Sequence, residues 1–106
     1  MRKQLLTAAV FCCIVCAAAY AADTIVTQSH TSFDSDAVTI KAGDTIVFAN
    51  KDDVTHNVQV GNEDGEDDDK GLQKPSQDIR VIFAKAGVYK VHCSIHPKMK
   101  MTVTVQ

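Results

Sequence analysis

The sequence predicts an all-β fold, an antiparallel sandwich or small barrel of about seven or eight strands, and three observations carry that expectation. Apolar and polar residues alternate at period two along most of the chain, turn residues punctuate it at short intervals, and little of it carries a helical repeat. Two facing sheets are the economical way for many short, half-apolar strands to bury their inner faces within 106 residues.

The first expected strand is Thr24 to Ser29. In the next, Val38 and Ile40 oppose Thr39 and Lys41, and the turn Ala42-Gly43-Asp44 ends it. Ile46 and Phe48 then oppose Thr45, up to the turn Asn50-Lys51-Asp52-Asp53. His56 to Val60 follows, with His56 on the same face as Val58 and Val60. Ile79, Val81 and Phe83 oppose Arg80 and Ile82 in a further strand, which stops at Ala86-Gly87. Gly87 to Cys93 and Lys100 to Val105 complete the set. The segment from Gly61 to Gly71 breaks the pattern, because it holds Glu63, Asp64, Glu66, Asp67, Asp68 and Asp69 and nothing apolar, and it is expected to be a solvated loop. Its functional readings are partner docking or a calcium site, although the regular calcium-loop spacing is absent.

A chain of this length with 45% hydrophobic and 23% charged residues has room for one globular domain, which excludes a multidomain enzyme. A formal net charge of −2 and the lack of a basic cluster exclude a nucleic-acid binder. Met1-Arg2-Lys3 is a cationic start, Leu5 to Ala19 is a nearly unbroken apolar run, and Ala19-Tyr20-Ala21 is a small-x-small cleavage site. Residues 1–21 are therefore expected to be a secretory signal peptide and residues 22–106 the mature domain. The apolar run is short of the ~20 residues that span a bilayer, so no membrane anchor is expected after cleavage. Removal of Arg2 and Lys3 takes the net charge from −2 to −4. Cys12, Cys13 and Cys16 leave as well, and Cys93 remains alone. A lone thiol in an oxidising compartment is a liability unless something occupies it.

The chemistry is concentrated in Tyr89-Lys90-Val91-His92-Cys93-Ser94-Ile95-His96-Pro97-Lys98-Met99-Lys100-Met101, where thiolate, imidazole and thioether meet on a turn between two strands. Strand parity points Cys93 inward, and His56 points inward from its own strand end. Two imidazoles, one thiolate and a weaker thioether are the ligand set of a copper electron-transfer site. Structural zinc prefers four strong ligands, for which thioether is a poor fourth. A Cys-His nucleophile needs a cleft and an orienting third group, for which the sequence offers no separate candidates. His30 and His92 are read as surface groups.

On Val38-Thr39-Ile40-Lys41-Ala42-Gly43-Asp44-Thr45, His56-Asn57-Val58, Gly87-Val88-Tyr89 and above all Cys93-Ser94-Ile95-His96-Pro97-Lys98-Met99, the sequence resembles the cupredoxins, the small blue copper proteins of the plastocyanin and azurin type, and among them the amicyanin-like group. The resemblance implies a Greek-key β-sandwich with one type 1 copper ion held by His56, Cys93, His96 and a methionine. It also implies that Asn57 ties the two ligand loops together by hydrogen bonds. Met99 follows His96 at the short amicyanin-like spacing, whereas Met101 shares a face with Val103 and Val105 and reads as the first core residue of the last strand, so Met99 is the expected axial ligand. Ile95 stands where many relatives have proline, which leaves an extra backbone donor near Cys93.

The function expected is one-electron transfer by Cu(II)/Cu(I) cycling in the periplasm, with no catalysed bond change. Copper carriage or resistance without redox turnover is the rival, and the Met-rich exposed tracts expected of carriers are missing. The expected partners are redox proteins, a cytochrome or a dehydrogenase with a cationic surface, docking a monomer near His96-Pro97 and the acidic loop.

Overall fold

The computed structural model of the protein describes residues 21–106, so the expected signal peptide, apart from Ala21, lies outside the described residues. Nine strands follow one another: β1 (Asp23–Ser29), β2 (Ser32–Phe33), β3 (Ala37–Ile40), β4 (Asp44–Asn50), β5 (His56–Gly61), β6 (Asp67–Gln73), β7 (Asp78–Phe83), β8 (Gly87–His92) and β9 (Lys100–Val105). They form two sheets, one in the order β2-β1-β4-β7 and the other in the order β3-β9-β8-β5-β6. The chain changes sheet between β4 and β5 and returns beside β4 with β7, the crossing that makes a Greek-key sandwich.

The period-two pattern decides which faces meet. Val26, Ile46, Phe48, Val81 and Phe83 from the first sheet pack against Ile40, Val58, Val60, Val91, Met101, Val103 and Val105 from the second, all of them buried. Phe48, with no exposed surface, meets Phe33 edge-to-face at a centroid distance of 5.9 Å. Burying such a side chain stabilises the fold by roughly 1.5–3 kcal/mol. Ile82 faces outward, as its parity predicts, and is 68% exposed.

Three expectations need correction. The sandwich is mixed rather than antiparallel, because β1 pairs β4 in parallel and β3 pairs β9 in parallel. Both parallel pairs join strands distant or cross-connected in sequence, where no hairpin dictates direction. Beyond the seven segments expected, β2 and β6 raise the strand count to nine, and the two-residue β2 is too short to show alternation. The solvated loop expected from Gly61 to Gly71 contains only the turn at 62–66, and from Asp67 the chain is strand β6. That strand lies at the sheet edge and pairs only with β5, so Asp67 to Lys70 face water and no apolar residue is needed to place them. Charge along an unpaired edge also discourages pairing with another chain.

The topology assembles one end of the sandwich as a site. His56 opens β5, His92 closes β8 and Lys100 opens β9, while the registers Gln59↔His92 and His92↔Lys100 bring these strand ends together. The acidic turn at 62–66 closes the other end of β5. Six residues at ~3.3 Å each separate the two ends by roughly 17–20 Å.

Candidate metal centre

His56 is the first residue of β5 and has no exposed surface; Cys93 follows the last residue of β8 and is equally buried. His96 lies half-buried in the loop between β8 and β9. That loop is clasped by its own backbone: Met99 N–H donates to His96 O at 2.9 Å and Cys93 N–H donates to Met99 O at 3.0 Å. The loop is also tied to β5. Asn57 Oδ1 accepts Ser94 N–H at 2.7 Å and the Ser94 hydroxyl at 3.1 Å, and Asn57 N–H donates to Cys93 Sγ at 3.4 Å. Asn57 therefore performs the tying task that the resemblance implies. The backbone amide that reaches the sulfur is Asn57's rather than that of Ile95.

Three donor atoms converge. His56 Nδ1 is 3.2 Å from His96 Nδ1, and Cys93 Sγ is 3.9 Å from the first and 3.7 Å from the second. A triangle of those sides has a point about 2.1 Å from every corner, within the ~2.0–2.3 Å of metal bonds to imidazole nitrogen and thiolate sulfur. On the other side of the His56 ring, Nε2 faces Asp52 Oδ2 at 3.0 Å, a carboxylate oxygen that accepts a proton carried there. Donating there leaves a lone pair on Nδ1, aimed at the other two donors. Two imidazole nitrogens and one sulfur drawn this close form a donor set that a single cation can share. The residues present thus fit a metal ion, and the two-imidazole, one-thiolate set fits copper.

Among the described residues, this trio is the one group of histidine, cysteine and carboxylate side chains arranged to hold a metal ion. His30 is exposed and His92 half-buried, and neither joins it. Met99 is 1% exposed and Met101 3% exposed; Met101 pairs with Val91 and sits in the core face of β9, as its parity with Val103 and Val105 predicts. Sequence reasoning missed Asp52, which reads as one residue of a turn. It also missed Asp69, whose carboxylate accepts Asn57 Nδ2–H at 3.3 Å. Thr31 N–H, and after it the His56 ring and Asp53 N–H, hold the Asp52 carboxyl below the ordinary carboxylate range, against the opposing effect of burial. The expectation that the acidic loop lies beside His96 is corrected: the turn at 62–66 is at the far end of β5, and Glu63 there accepts Val88 N–H near the start of β8. Among the acidic residues of that segment, only those of β6 run toward the site.

The family model of copper-binding proteins of the plastocyanin/azurin family matches residues 20–106. The chain belongs to that family. Copper is accordingly the cofactor of this cupredoxin. It is 34% identical over 80 residues to the methylamine utilization protein MauL of Methylorubrum extorquens, covering 76% of this chain and 70% of that one. It is also 34% identical over 84 residues to amicyanin of Paracoccus denitrificans, covering 77% of this chain and 64% of that protein. The crystal structure of amicyanin from Paracoccus versutus superposes with a TM-score of 0.73 at 27% identity, over 79% of this chain and 81% of that one. The all-β Greek-key expectation and the copper assignment both hold.

Proposed function

We propose that this cupredoxin is a one-electron carrier of the periplasm, formed as residues 22–106 after removal of a signal peptide at 1–21, with one type 1 copper ion held by His56, Cys93, His96 and Met99. The observation that carries the reading is the convergence of two imidazole Nδ1 atoms and one thiol sulfur within 3.9 Å at a buried strand end. Copper in such a set cycles between Cu(II) and Cu(I), taking up or giving one electron.

The chain's own residues make that exchange fast by not moving. Cys93 is fixed by Met99 O and Asn57 N–H, and Ser94 by Asn57 Oδ1, so the loop keeps one shape in both charge states. Cys93 would hold the copper through its thiolate, His56 through a buried imidazole and Met99 through its weaker thioether. His96, half-buried among exposed Ile95, Pro97 and Lys98, is the exit for the electron. No bond in a substrate is made or broken, so the protein is not an enzyme. Its partners are redox proteins, a cytochrome or a dehydrogenase with a cationic surface, approached by a monomer. The acidic flank on β6 steers the encounter, and the apolar edge at Ile95 and Pro97 makes the contact.

Electrochemistry of the copper-loaded protein tests this reading against copper carriage. A shuttle gives reversible one-electron waves and retains its copper when a Cu(I) chelator is added. Copper lost to the chelator on reduction marks a carrier and overturns the reading.

A further inference from the structure

The hydrogen bonds behind His56 take no part in holding the loop of Cys93, yet they rest on a strained piece of backbone. His30 and Thr31, between β1 and β2, both have positive φ, 54° and 56°. A two-residue hairpin turn of this kind ordinarily uses Asn-Gly, and a β-branched residue there is an outlier. Such strain costs of order 1–3 kcal/mol and persists only where the surroundings hold it. What the turn achieves is to aim Thr31 N–H at Asp52 Oδ2, 2.8 Å away. The same oxygen faces His56 Nε2 at 3.0 Å. Asp52 Oδ1 accepts Asp53 N–H at 3.1 Å, and Asp52 N–H donates to Oδ1 of Asn50 at 2.9 Å. Asn50 is itself fully buried and donates from Nδ2 to Val54 O at 3.0 Å and Gln73 O at 3.1 Å. The carboxylate is thus gripped from the β1–β2 turn and from its own loop, the buried Asn50 side chain anchors the backbone that carries it, and its side chain is only 12% exposed.

We propose that Asp52 is a positioning residue of the metal centre: held by the His30–Thr31 turn, its carboxylate fixes His56 as the Nε2–H tautomer with Nδ1 turned to Cys93 and His96, and it lowers the reduction potential of the bound copper. The inference rests on the copper reading of the site. A carboxylate behind a ligating imidazole sets the ring's tautomer and orientation and raises its basicity. A more basic imidazole and a nearby negative charge both favour the more highly charged Cu(II) over Cu(I), which is a lower potential. Exposed Asp53, one residue on, carries the same charge without touching the ring.

The test compares the native protein with Asp52→Asn and Asp53→Asn by cyclic voltammetry, copper affinity, visible spectrum and nitrogen-15 NMR of the histidine rings in the copper-free chain. Asp52→Asn keeps a carbonyl oxygen for Thr31 and His56 but removes the charge. It should raise the potential, weaken Cu(II) binding by about 10–100-fold and admit the Nδ1–H tautomer of His56, with the intense visible band kept. Asp53→Asn should leave the tautomer unchanged and move the potential far less. Equal shifts from both substitutions, or no shift from Asp52→Asn, overturn the role of Asp52 while leaving the copper site standing. An absent band in the native protein overturns the copper reading and this inference with it. The native copper-free chain gives a check that needs no substitution, because a His56 protonated on Nδ1 rather than Nε2 contradicts the proposal outright.

Discussion

At the scale of the residue, the proposed role of Met99 as a copper ligand sets it apart from Met101, a packing residue. Met99 is buried in the ligand loop and is hydrogen-bonded through its backbone to both His96 and Cys93, whereas Met101 faces the core from β9. Met99→Leu is expected to change the potential and the visible spectrum, because the axial donor tunes a copper site. Met101→Leu is a volume-conserving core swap and should cost less than ~1.5 kcal/mol with the spectrum intact. Voltammetry and thermal unfolding of the two variants check this, and the reverse pattern reassigns the axial ligand. The residues that converge at the site were legible in the sequence, because Cys93 and His96 fall in one short run and His56 shares strand parity with the core residues Val58 and Val60. Asp52 was not legible. Its use depends on a backbone amide from Thr31, far away in sequence, and on a turn conformation that neither His30 nor Thr31 advertises.

At the scale of the element, the connection from β3 to β4 shows how one carboxylate organises a turn. Gly43 has φ 94°, a conformation glycine adopts without penalty, and Asp44 closes the turn by accepting Lys41 N–H at 2.9 Å. The other oxygen of Asp44 accepts Ala22 N–H at 3.0 Å and so fastens the start of β1. The N–H of Ala22 first, and the Lys41 amide after it, hold the Asp44 carboxyl below its ordinary value. A depressed folded-state value means that this contribution to stability is complete above the unfolded carboxylate value of ~3.9 and is lost as the pH falls through the lower folded value. Unfolding measured by denaturant between pH 5 and pH 2 should therefore show a smaller acid-side loss for Asp44→Asn than for the native chain. An identical acid-side loss contradicts this role. Strands β4, β5, β7, β8 and β9 were legible because each has an inner face, and the hydrophobic effect writes that face as alternation. Strand β6 was not, since an edge strand paired on one side with its side chains in water carries no apolar signature.

At the scale of the molecule, the charge is divided between two places. Glu63, Asp64 and Glu66 lie in or at the end of the far turn, roughly 17–20 Å from His56 along β5, about two Debye lengths of ~8 Å at physiological ionic strength. Asp67, Asp68 and Asp69 run along β6 toward the site, and Asp69 is bonded to Asn57. Second-order rates with a cationic redox protein should lose more of their ionic-strength dependence when Asp67, Asp68 and Asp69 are changed to Asn than when Glu63, Asp64 and Glu66 are changed to Gln, Asn and Gln. Equal slopes for the native chain and both variants show that the acidic residues are solvated surface only. The mixed direction of the sheets was not legible at this scale either, because parallel pairing of β1 with β4 and of β3 with β9 is fixed by where the strands return, not by their residues.

The proposed function turns on a thiolate bonded to copper at Cys93. The most direct measurement is the visible absorption of the copper-loaded native protein beside that of Cys93→Ser, at equal copper content. The native protein should show an intense sulfur-to-copper charge-transfer band that disappears on reduction and returns on oxidation. Cys93→Ser should lack it even where His56 and His96 still bind copper. An undiminished band in Cys93→Ser, or none in the native protein, contradicts the account.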